Sequence, residues 1–317
     1  MKKILITRKL LPLSEKYALK IFNAKLNKED KIINQEDLIK GSNDCDGILS
    51  SLTEKIDAGV IAKLSSSVKI ISNFAVGYGN IDIVAAKKRN IVVTNTPDVL
   101  TDATAEIAIL ILLGAARRAK EGAEWANKKD WKWSADFLMG KQLTGARLGI
   151  LGMGRIGRAV ANIARSFGMI IHYHNRSQLD KNLEKEAIYH NSLESLLSVS
   201  DFFSINCPAT KETKHIINKD TLKCFPDGAV LSNSARGDMI DDNAMVKSLK
   251  SGKIFSLGLD VYNGEPNIHP DYATLPNVFV LPHLGSSTIK TRTAMGNLAV
   301  SNIEEFFKTG KCKNIVK

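Results

Sequence analysis

The segment A-R-L-G-I-L-G-M-G-R-I-G-R-A-V-A, residues 146–161, decides the fold of the central part of the chain. The apolar run Leu148–Leu151 predicts a buried strand that enters a turn, and Arg155–Phe167 predicts the helix that leaves it. The glycines between them have the spacing G-x-G-x-x-G: Gly152, Gly154 and Gly157. In that pattern the glycines allow a tight turn, close approach of a pyrophosphate and close helix–strand packing. Unpaired N–H groups at the helix start would face the phosphates, so the segment predicts a dinucleotide-binding site.

The end of the next predicted strand, Gly168–His174, bears on which dinucleotide is bound. In NAD-binding folds, a carboxylate about 20 residues after the glycines accepts hydrogen bonds from the ribose 2′-hydroxyl. Here Asn175, Arg176 and Ser177 occupy this place, and a guanidinium with a neighbouring hydroxyl suits a 2′-phosphate. We therefore expect NADP(H) to be preferred. The alternative is that Arg176 is a solvated loop charge and that NAD(H) is also accepted.

The bulk composition indicates a globular enzyme. At 317 residues the chain is long enough for two domains, and no apolar stretch approaches the length of a membrane span. The start, M-K-K-I-L-I-T-R, has too short an apolar part for a signal peptide, so we expect a cytoplasmic protein. Four scattered cysteines without a C-x-x-C pair argue against disulfides and against a metal site.

The net charge of +11 favours anionic ligands. It does not predict nucleic-acid binding, because the lysines are scattered and do not alternate with aromatic residues in a basic run.

Short apolar runs alternate with amphipathic stretches on both sides of the glycine segment, which predicts an α/β fold with parallel sheets. The predicted strands outside that segment are Ile4–Ile6, Gly47–Leu49, Val68–Ser72, Ile91–Val93, Phe202–Ile205, Ala229–Ser232, Phe255–Leu259 and Val278–Leu281. The predicted helices are Glu15–Phe22, Asp57–Lys63, Ile83–Arg89, a long apolar helix from Asp102 to beyond Ala119, and Ser286–Phe307.

A complete α/β unit therefore precedes the glycine segment, and a break at Pro97 follows that unit. We predict two Rossmann-like domains: a discontinuous substrate domain of residues 1–99 and 286–317, and a dinucleotide domain of residues 100–285. The active site is then expected in the cleft between the two domains.

Three loops that follow predicted strands carry side chains suited to carbonyl reduction. His283 would protonate the carbonyl oxygen, Glu265 would favour and orient the protonated imidazole, and Arg236 would bind a 2-keto acid and polarise its carbonyl. Each residue also has an ordinary structural interpretation. His283 could be a histidine at a strand end with its hydrogen bonds satisfied, Glu265 could be a turn residue before Pro266, and Arg236 could be a charge at a helix start partnered by Asp241. The other histidines are interpreted as surface or loop residues: His172, His174, His190, His215 and His269.

Six motifs together resemble the D-isomer-specific 2-hydroxyacid dehydrogenase family over essentially the whole chain. They are Ala75-Val-Gly-Tyr-Gly-Asn-Ile-Asp82, the glycine segment, Cys207-Pro-Ala-Thr-Lys-Glu-Thr213, Asn233-Ser-Ala-Arg-Gly237, Asp260-Val-Tyr-Asn-Gly-Glu-Pro266 and Pro282-His-Leu-Gly-Ser-Ser287. The resemblance implies that Arg236, Glu265 and His283 are catalytic and that the N–H groups of Val76 and Gly77 hold the substrate carboxylate. It also implies cofactor contacts at Thr104, Arg155, Ile156, Cys207, Pro208, Thr213, Ala235, Asp260 and Gly285.

Within that family the chain is most similar to the glyoxylate/hydroxypyruvate reductase branch, because of Asn175-Arg-Ser177 and the Trp131-Lys-Trp133 segment. This similarity implies NADPH-dependent reduction of small 2-keto acids to D-2-hydroxy acids by a homodimer whose interface includes the long apolar helix and the Trp125–Trp133 region. The tryptophans of the Trp131-Lys-Trp133 segment would either help to shape the substrate site across the dimer or only pack in the interface. Gly79 departs from the acid that many members carry there.

Two other functions remain open. One is another D-2-hydroxyacid dehydrogenase such as phosphoglycerate dehydrogenase, although no C-terminal regulatory domain follows in this sequence. The other is a corepressor-like protein that senses NAD(H).

Overall fold

The computed structural model describes residues 1–128 and 130–316, and the chain divides into two compact units. Unit 1 comprises Met1–Leu100 and Ser286–Lys317, and unit 2 comprises Thr101–Gly285. Each unit contains one parallel sheet with helices, so the predicted α/β class with two parallel-sheet units is confirmed. Within the described residues, no helix is both long and apolar enough to cross a membrane.

Unit 1 is built on a five-stranded parallel sheet with the order β2-β1-β3-β4-β5. Its strands are β1 (Lys3–Ile6), β2 (Asn23–Lys25), β3 (Gly47–Ser50), β4 (Ile70–Asn73) and β5 (Val92–Thr94). The first helices are α1 (Pro12–Ile21), α2 (Gln35–Gly41), α3 (Ala58–Lys63) and α4 (Ile83–Lys88), and the last helix of the chain, Ile289–Thr309, also belongs here. Every residue of β3 and β4 is buried, as expected for parallel strands covered on both faces.

Unit 2 is built on a seven-stranded parallel sheet with the order β12-β11-β10-β9-β6-β7-β8. Its strands are β6 (Arg147–Leu151), β7 (Ile170–His174), β8 (Ile188–Tyr189), β9 (Phe202–Ile205), β10 (Ala229–Asn233), β11 (Ile254–Leu259) and β12 (Val278–Val280). Its helices are α5 (Thr101–Ala116), α6 (Ala119–Ala126), α7 (Arg155–Ser166), α8 (Lys181–Glu184), α9 (Leu193–Leu197), α10 (Lys219–Lys223), α11 (Asp242–Lys250) and α12 (Pro270–Thr274). The helix Ile289–Thr309 is therefore α13.

The strand order of unit 2 reverses beside β6, which lies between β7 and β9. In open α/β sheets such a switch point leaves a crevice at the carboxyl ends of the strands, and ligands bind there. The glycine segment follows β6 directly, so the fold places it at this switch point.

The predicted long helix was wrong beyond its first four turns, because α5 ends at Ala116. Arg118 adopts a left-handed conformation with φ 54°, which interrupts the helical path before α6 begins at Ala119. The Arg118 guanidinium donates two hydrogen bonds to Glu121, at 2.7 and 2.6 Å, and so stabilises this break. No bounds were predicted for the short strands β2 and β8 or for the helices α2 and α8–α12.

Candidate active site

Two of the three glycines in the 152–157 turn are required by the fold itself. Gly152 has φ +92°, and a Cβ atom there would lie 2.5 Å from the Cys207 backbone nitrogen. A Cβ atom on Gly157 would lie 2.2 Å from the Gly152 carbonyl oxygen. Gly154 differs, because a Cβ atom there would meet nothing within 4 Å. The turn therefore leaves open space at Gly154, where the sequence predicts that a pyrophosphate approaches.

The loop after β7 meets the glycine turn through Asn175. Its Oδ1 accepts a hydrogen bond from the Met153 N–H at 2.7 Å, so this side chain fixes the turn. Arg176 and Ser177 follow at the exposed tip of the loop. The structure thus separates the three residues predicted to meet the adenosine ribose: Asn175 holds the turn, and Arg176 and Ser177 are exposed beside it.

Arg236, Glu265 and His283 follow three adjacent strands, β10, β11 and β12, at the same edge of the sheet. The His283 Nδ1 lies 2.7 Å from the Glu265 Oε2. The His283 side chain is 30% exposed and the Glu265 side chain is 28% exposed. An ionised carboxylate only accepts hydrogen bonds, so Nδ1 carries the proton and donates to Glu265. This leaves Nε2 available for proton exchange with a ligand, since no hydrogen bond engages Nε2 within the described ranges.

The electrostatic surroundings keep Glu265 ionised. Burial acts to raise the pKa of its carboxyl group, but hydrogen bonds from His283 and from the Tyr262 N–H, together with the nearby Arg236 charge, hold that pKa below its ordinary value. The carboxylate therefore stays charged across the neutral range and can orient the imidazole.

Asn233 shapes the loop that carries Arg236. Its Nδ2 donates to the Arg236 carbonyl oxygen at 2.7 Å, and its Oδ1 accepts from the Ala235 N–H at 2.9 Å. A Cβ atom on Gly237 would lie 1.9 Å from the Tyr262 carbonyl carbon, so this loop packs directly against the loop that leads to Glu265. The sequence analysis missed Asn233, although an asparagine at a strand end is a signal for such a turn.

The Arg236 guanidinium is not partnered by Asp241, the structural alternative considered above. Burial lowers its pKa, and Glu265 and Asp238 are the carboxylates that act in the opposite direction. Its Nη1 donates to the Ala235 carbonyl oxygen at 2.6 Å. Asp241 caps α11 by accepting from the Ala244 N–H instead.

His283 is held in a left-handed backbone conformation, with φ 58°. Such a conformation costs a non-glycine residue roughly 1–2 kcal/mol, so neighbouring contacts must maintain it. Asp260 is only 1% exposed. Its carboxylate accepts hydrogen bonds from the Leu284 N–H at 2.7 Å and from the Gly285 N–H at 2.8 Å. Burial raises the pKa of the Asp260 carboxyl group. Asp260 therefore fixes the loop that presents the imidazole, a role that the sequence analysis did not assign.

The other residues expected to contact the cofactor fall into four places. Thr104 lies against Gly285, 3.5 Å from the position of a Cβ atom there, and so next to Asp260. Cys207 lies against Gly152, and burial raises the pKa of its thiol to about 12. The Thr213 hydroxyl donates to the Pro208 carbonyl oxygen at 3.0 Å and closes that turn. Arg155 and Ile156 begin α7.

Val76 and Gly77 belong to unit 1, in the loop between β4 and α4.

One prediction about the histidines was wrong: His172 is buried within β7, and its Nδ1 lies 2.9 Å from the His190 Nε2.

The Trp125–Trp133 region includes Lys129, which lies outside the described residues, as does Lys317 at the end of the chain. Around it, Trp131 is 49% exposed and Trp133 is 79% exposed. Trp125 contacts Phe137 edge to face, with ring centroids 5.7 Å apart.

A dinucleotide fold with an Arg, a Glu–His pair and a glycine turn at one sheet edge is the architecture of a nicotinamide-dependent dehydrogenase. Residues 109–285 match the family described as D-isomer specific 2-hydroxyacid dehydrogenase, NAD binding domain.

Known proteins resemble the chain over nearly its whole length. It is 41% identical to glycerate dehydrogenase of Hyphomicrobium methylovorum, covering 96% of both chains. It is also 41% identical to glyoxylate reductase of Thermococcus kodakarensis, covering 90% of this chain and 87% of that protein. A solved structure of the NADPH-dependent glyoxylate/hydroxypyruvate reductase of Sinorhizobium meliloti, in complex with NADP and malonate, has a TM-score of 0.88 at 32% identity and covers 99% and 96%.

The chain belongs to the D-isomer specific 2-hydroxyacid dehydrogenase family and is an NAD(P)-dependent enzyme of glyoxylate reductase-like type.

Proposed function

We propose that this enzyme uses NADPH to reduce small 2-keto acids, with glyoxylate and hydroxypyruvate as the first candidates, to D-2-hydroxy acids. The observation that carries the proposal is the 2.7 Å Glu265–His283 pair beside the Arg236 loop, at the sheet edge that also holds the glycine turn. The names of the relatives, a glycerate dehydrogenase and a glyoxylate reductase, favour the same substrates.

In this proposal His283 is the general acid. Its protonated Nε2 donates to the carbonyl oxygen of the substrate, while Nδ1 keeps its hydrogen bond to Glu265. The negative charge on Glu265 stabilises the imidazolium before the transfer and fixes the plane of the ring. NADPH, when bound, supplies the hydride that the carbonyl carbon receives.

Arg236 is proposed to bind the 2-keto acid and to polarise its carbonyl group. A guanidinium presents several N–H donors in a fixed plane, so it can stabilise negative charge as it develops on oxygen. The open Val76 and Gly77 N–H groups of unit 1 are proposed to hold the substrate carboxylate. Residues 1–99 and 286–317 are accordingly proposed as the substrate domain, and residues 100–285 as the dinucleotide domain.

The cofactor residues are proposed from the family resemblance, and all of them belong to unit 2. They are Thr104, Gly152, Gly154, Arg155, Ile156, Gly157, Asn175, Arg176, Ser177, Cys207, Pro208, Thr213, Ala235, Asp260 and Gly285. The open space at Gly154 and the unhindered start of the twelve-residue helix α7 fit a pyrophosphate.

The two glycines of the turn are expected to respond differently to alanine. Gly154→Ala should leave the melting temperature of the cofactor-free protein unchanged, because its Cβ meets nothing, yet weaken NADPH binding about tenfold by occupying the space of the phosphates. Gly152→Ala should also destabilise the protein, by roughly 1–3 kcal/mol, because its Cβ would collide with the Cys207 backbone. Thermal unfolding and NADPH titration measure both effects. Unchanged NADPH affinity in Gly154→Ala would place the phosphates elsewhere.

Replacing Arg176 with aspartate is expected to reverse the cofactor preference. The change removes the cation proposed to bind the 2′-phosphate and introduces a carboxylate, which repels that phosphate and accepts from a ribose hydroxyl. We expect the ratio of kcat/KM for NADPH to that for NADH to fall about 100-fold or more, equivalent to roughly 2.7 kcal/mol.

The matched control is Lys247→Asp, which makes the same change of charge on the exposed side of α11. It should leave the cofactor ratio unaltered. If Arg176→Asp leaves that ratio unaltered as well, a residue other than Arg176 reads the 2′-phosphate.

A substrate panel tests the proposed function as a whole. Glyoxylate, hydroxypyruvate and bulkier 2-keto acids are each offered with NADPH and with NADH, and cofactor oxidation is followed. We expect turnover to be greatest with one of the two small acids and NADPH. The proposal fails if no 2-keto acid is reduced with either cofactor.

We further propose that the enzyme is a homodimer whose interface includes the Trp125–Trp133 region. The exposure of Trp131 and Trp133 supports this, because large aromatic side chains are enriched at protein interfaces. The molar mass in solution, measured by light scattering, should be twice that of the 34.7 kDa chain. A mass of one chain at micromolar concentration would contradict the proposal.

A further inference from the structure

The loop between β4 and α4, residues 74–81, has its backbone carbonyl groups engaged by asparagine side chains. The Nδ2 of Asn95 donates to the Val76 carbonyl oxygen at 2.8 Å. The Nδ2 of Asn73 donates to the Gly77 carbonyl oxygen at 2.9 Å. These two amides come from the ends of neighbouring strands, so they pull two successive carbonyls of the loop toward the sheet.

Asn73 and a third asparagine, Asn80, are themselves fixed by side-chain hydrogen bonds. Asn73 is fully buried at the end of β4, and its Oδ1 accepts from the Ser50 hydroxyl at 3.1 Å. Asn80 closes the loop: its Nδ2 donates to the carbonyl oxygens of Ser51 and Glu54, at 2.9 and 3.0 Å. Its Oδ1 also accepts from the Asn73 Nδ2 at 3.3 Å, which links the two amides.

A buried carboxylate anchors the segment that Asn80 contacts. Glu54, 2% exposed, accepts from the Ser51 N–H at 2.7 Å and from the Thr53 hydroxyl at 2.6 Å. The Ser51 and Glu54 carbonyls are therefore held in place, and the loop is tied to rigid positions on both sides.

The consequence concerns the N–H groups of the same loop. Within residues 1–128 and 130–316, the N–H groups of Val76 and Gly77 have no hydrogen-bond acceptor. Successive N–H groups that face one way form a concavity suited to an anion. In a trans peptide the N–H of one residue lies opposite the carbonyl of the residue before it. The Asn95 bond to the Val76 carbonyl therefore orients the Gly77 N–H, and the bond from the Thr96 N–H to the Ala75 carbonyl orients the Val76 N–H. The Asn73 bond to the Gly77 carbonyl fixes the next peptide group, so the pair is left oriented for a carboxylate.

We propose that Asn73, Asn80 and Asn95, here termed the amide clamp, are positioning residues that set the affinity of the enzyme for the carboxylate of its substrate. This inference rests on the proposed function and extends it from the two peptide groups to the side chains that orient them. The three side chains belong to unit 1, whereas Arg236, Glu265 and His283 belong to unit 2, so the amide clamp is proposed to act through the loop alone.

The test compares Asn73→Ala, Asn80→Ala and Asn95→Ala with wild type. Each variant releases at least one loop contact, and a lost hydrogen bond to a buried carbonyl corresponds to about tenfold. We expect kcat/KM for glyoxylate to fall about tenfold in each variant, with the KM for NADPH changed by less than about twofold. In calorimetry with NADP+ present, the Kd of oxalate, a dicarboxylate that cannot be reduced, should rise by the same factor.

The matched control is Asn277→Ala. The Asn277 side chain also donates to backbone carbonyls, those of Phe255 and Leu249. It lies in unit 2, however, at the amino-terminal end of β12. It should change the melting temperature without changing the glyoxylate KM or the oxalate Kd. A general loss of stability is thereby separated from a loss of carboxylate binding.

Three outcomes overturn the inference: unchanged oxalate affinity in the clamp variants, a rise in the KM for NADPH that equals the rise for glyoxylate, or the same effects in Asn277→Ala. Since Asn73 is fully buried, its alanine variant has the greatest tendency to unfold, and the half-buried Asn95→Ala then decides the question. If the wild-type enzyme reduces no 2-keto acid, the proposed function fails. If wild type is active and the clamp variants bind oxalate normally, the amide clamp alone is refuted.

Discussion

Replacing His283 with alanine is expected to lower kcat for 2-keto acid reduction by about 10²–10⁴-fold, the usual contribution of a positioned general acid. The imidazole is the side chain in the Arg–Glu–His group that can hold a proton near neutral pH and release it to an oxygen. NADPH affinity should change by less than about twofold, because the His283 side chain is not among the proposed cofactor contacts and the glycine turn follows β6, four strands from β12 in the sheet order.

Two further variants make this result specific. His215→Ala removes an exposed histidine of the same unit and should leave kcat unchanged. Glu265→Gln keeps the size of the partner but removes its charge, and it should lower kcat less than His283→Ala because the proton donor remains. The general-acid role is contradicted if His283→Ala retains wild-type kcat, or if its loss of activity is matched by a loss of NADPH binding.

Replacing Arg236 should have the second large effect. Arg236→Ala is expected to lower kcat/KM for glyoxylate by about 10²–10³-fold, the usual cost of removing a donor that stabilises charge on a reacting oxygen. Arg236→Lys keeps the positive charge but loses the planar set of donors, so it should recover only part of that loss. The Asn233 bonds to the loop backbone do not depend on the Arg236 side chain, so the loop should keep its shape in both variants.

Arg165→Lys is the matched control for Arg236→Lys. The Arg165 guanidinium also donates to backbone carbonyls, those of Glu184 and Lys185, but it lies late in α7. This variant should alter stability and leave kcat/KM unaltered. Full activity in Arg236→Lys would mean that charge alone suffices, and full activity in Arg236→Ala would exclude a role for Arg236 in the reaction.

The regular parts of the fold could be predicted because they are encoded locally. The apolar run Leu148–Leu151 lies in the buried strand β6 as predicted, and the G-x-G-x-x-G spacing yields a strand, a turn and a helix. The end of α5 could not be predicted, because nothing in the local pattern marks Arg118 for a left-handed conformation. The pairing of Arg118 with Glu121 exists only once the chain has turned.

The residues of the candidate site could be predicted from the sequence, but the side chains that hold their loops in place could not. Glu265 and His283 each follow a predicted strand, so their approach at one edge could be expected from parallel topology. That Asp260 holds the His283 loop, or that Asn95 engages the loop of Val76, depends on contacts between segments that are separated in sequence. Likewise the burial of His172 depends on its partner His190, which a strand pattern does not reveal.

The most direct test of the account follows the hydride itself. Hydroxypyruvate is reduced with NADPH that carries deuterium at the transferable position, and the product is analysed by mass spectrometry and by chiral chromatography. The account predicts D-glycerate with one deuterium at C2, formed by wild type and almost abolished in His283→Ala. Unlabelled product, the L-enantiomer, or equal product from His283→Ala would contradict it.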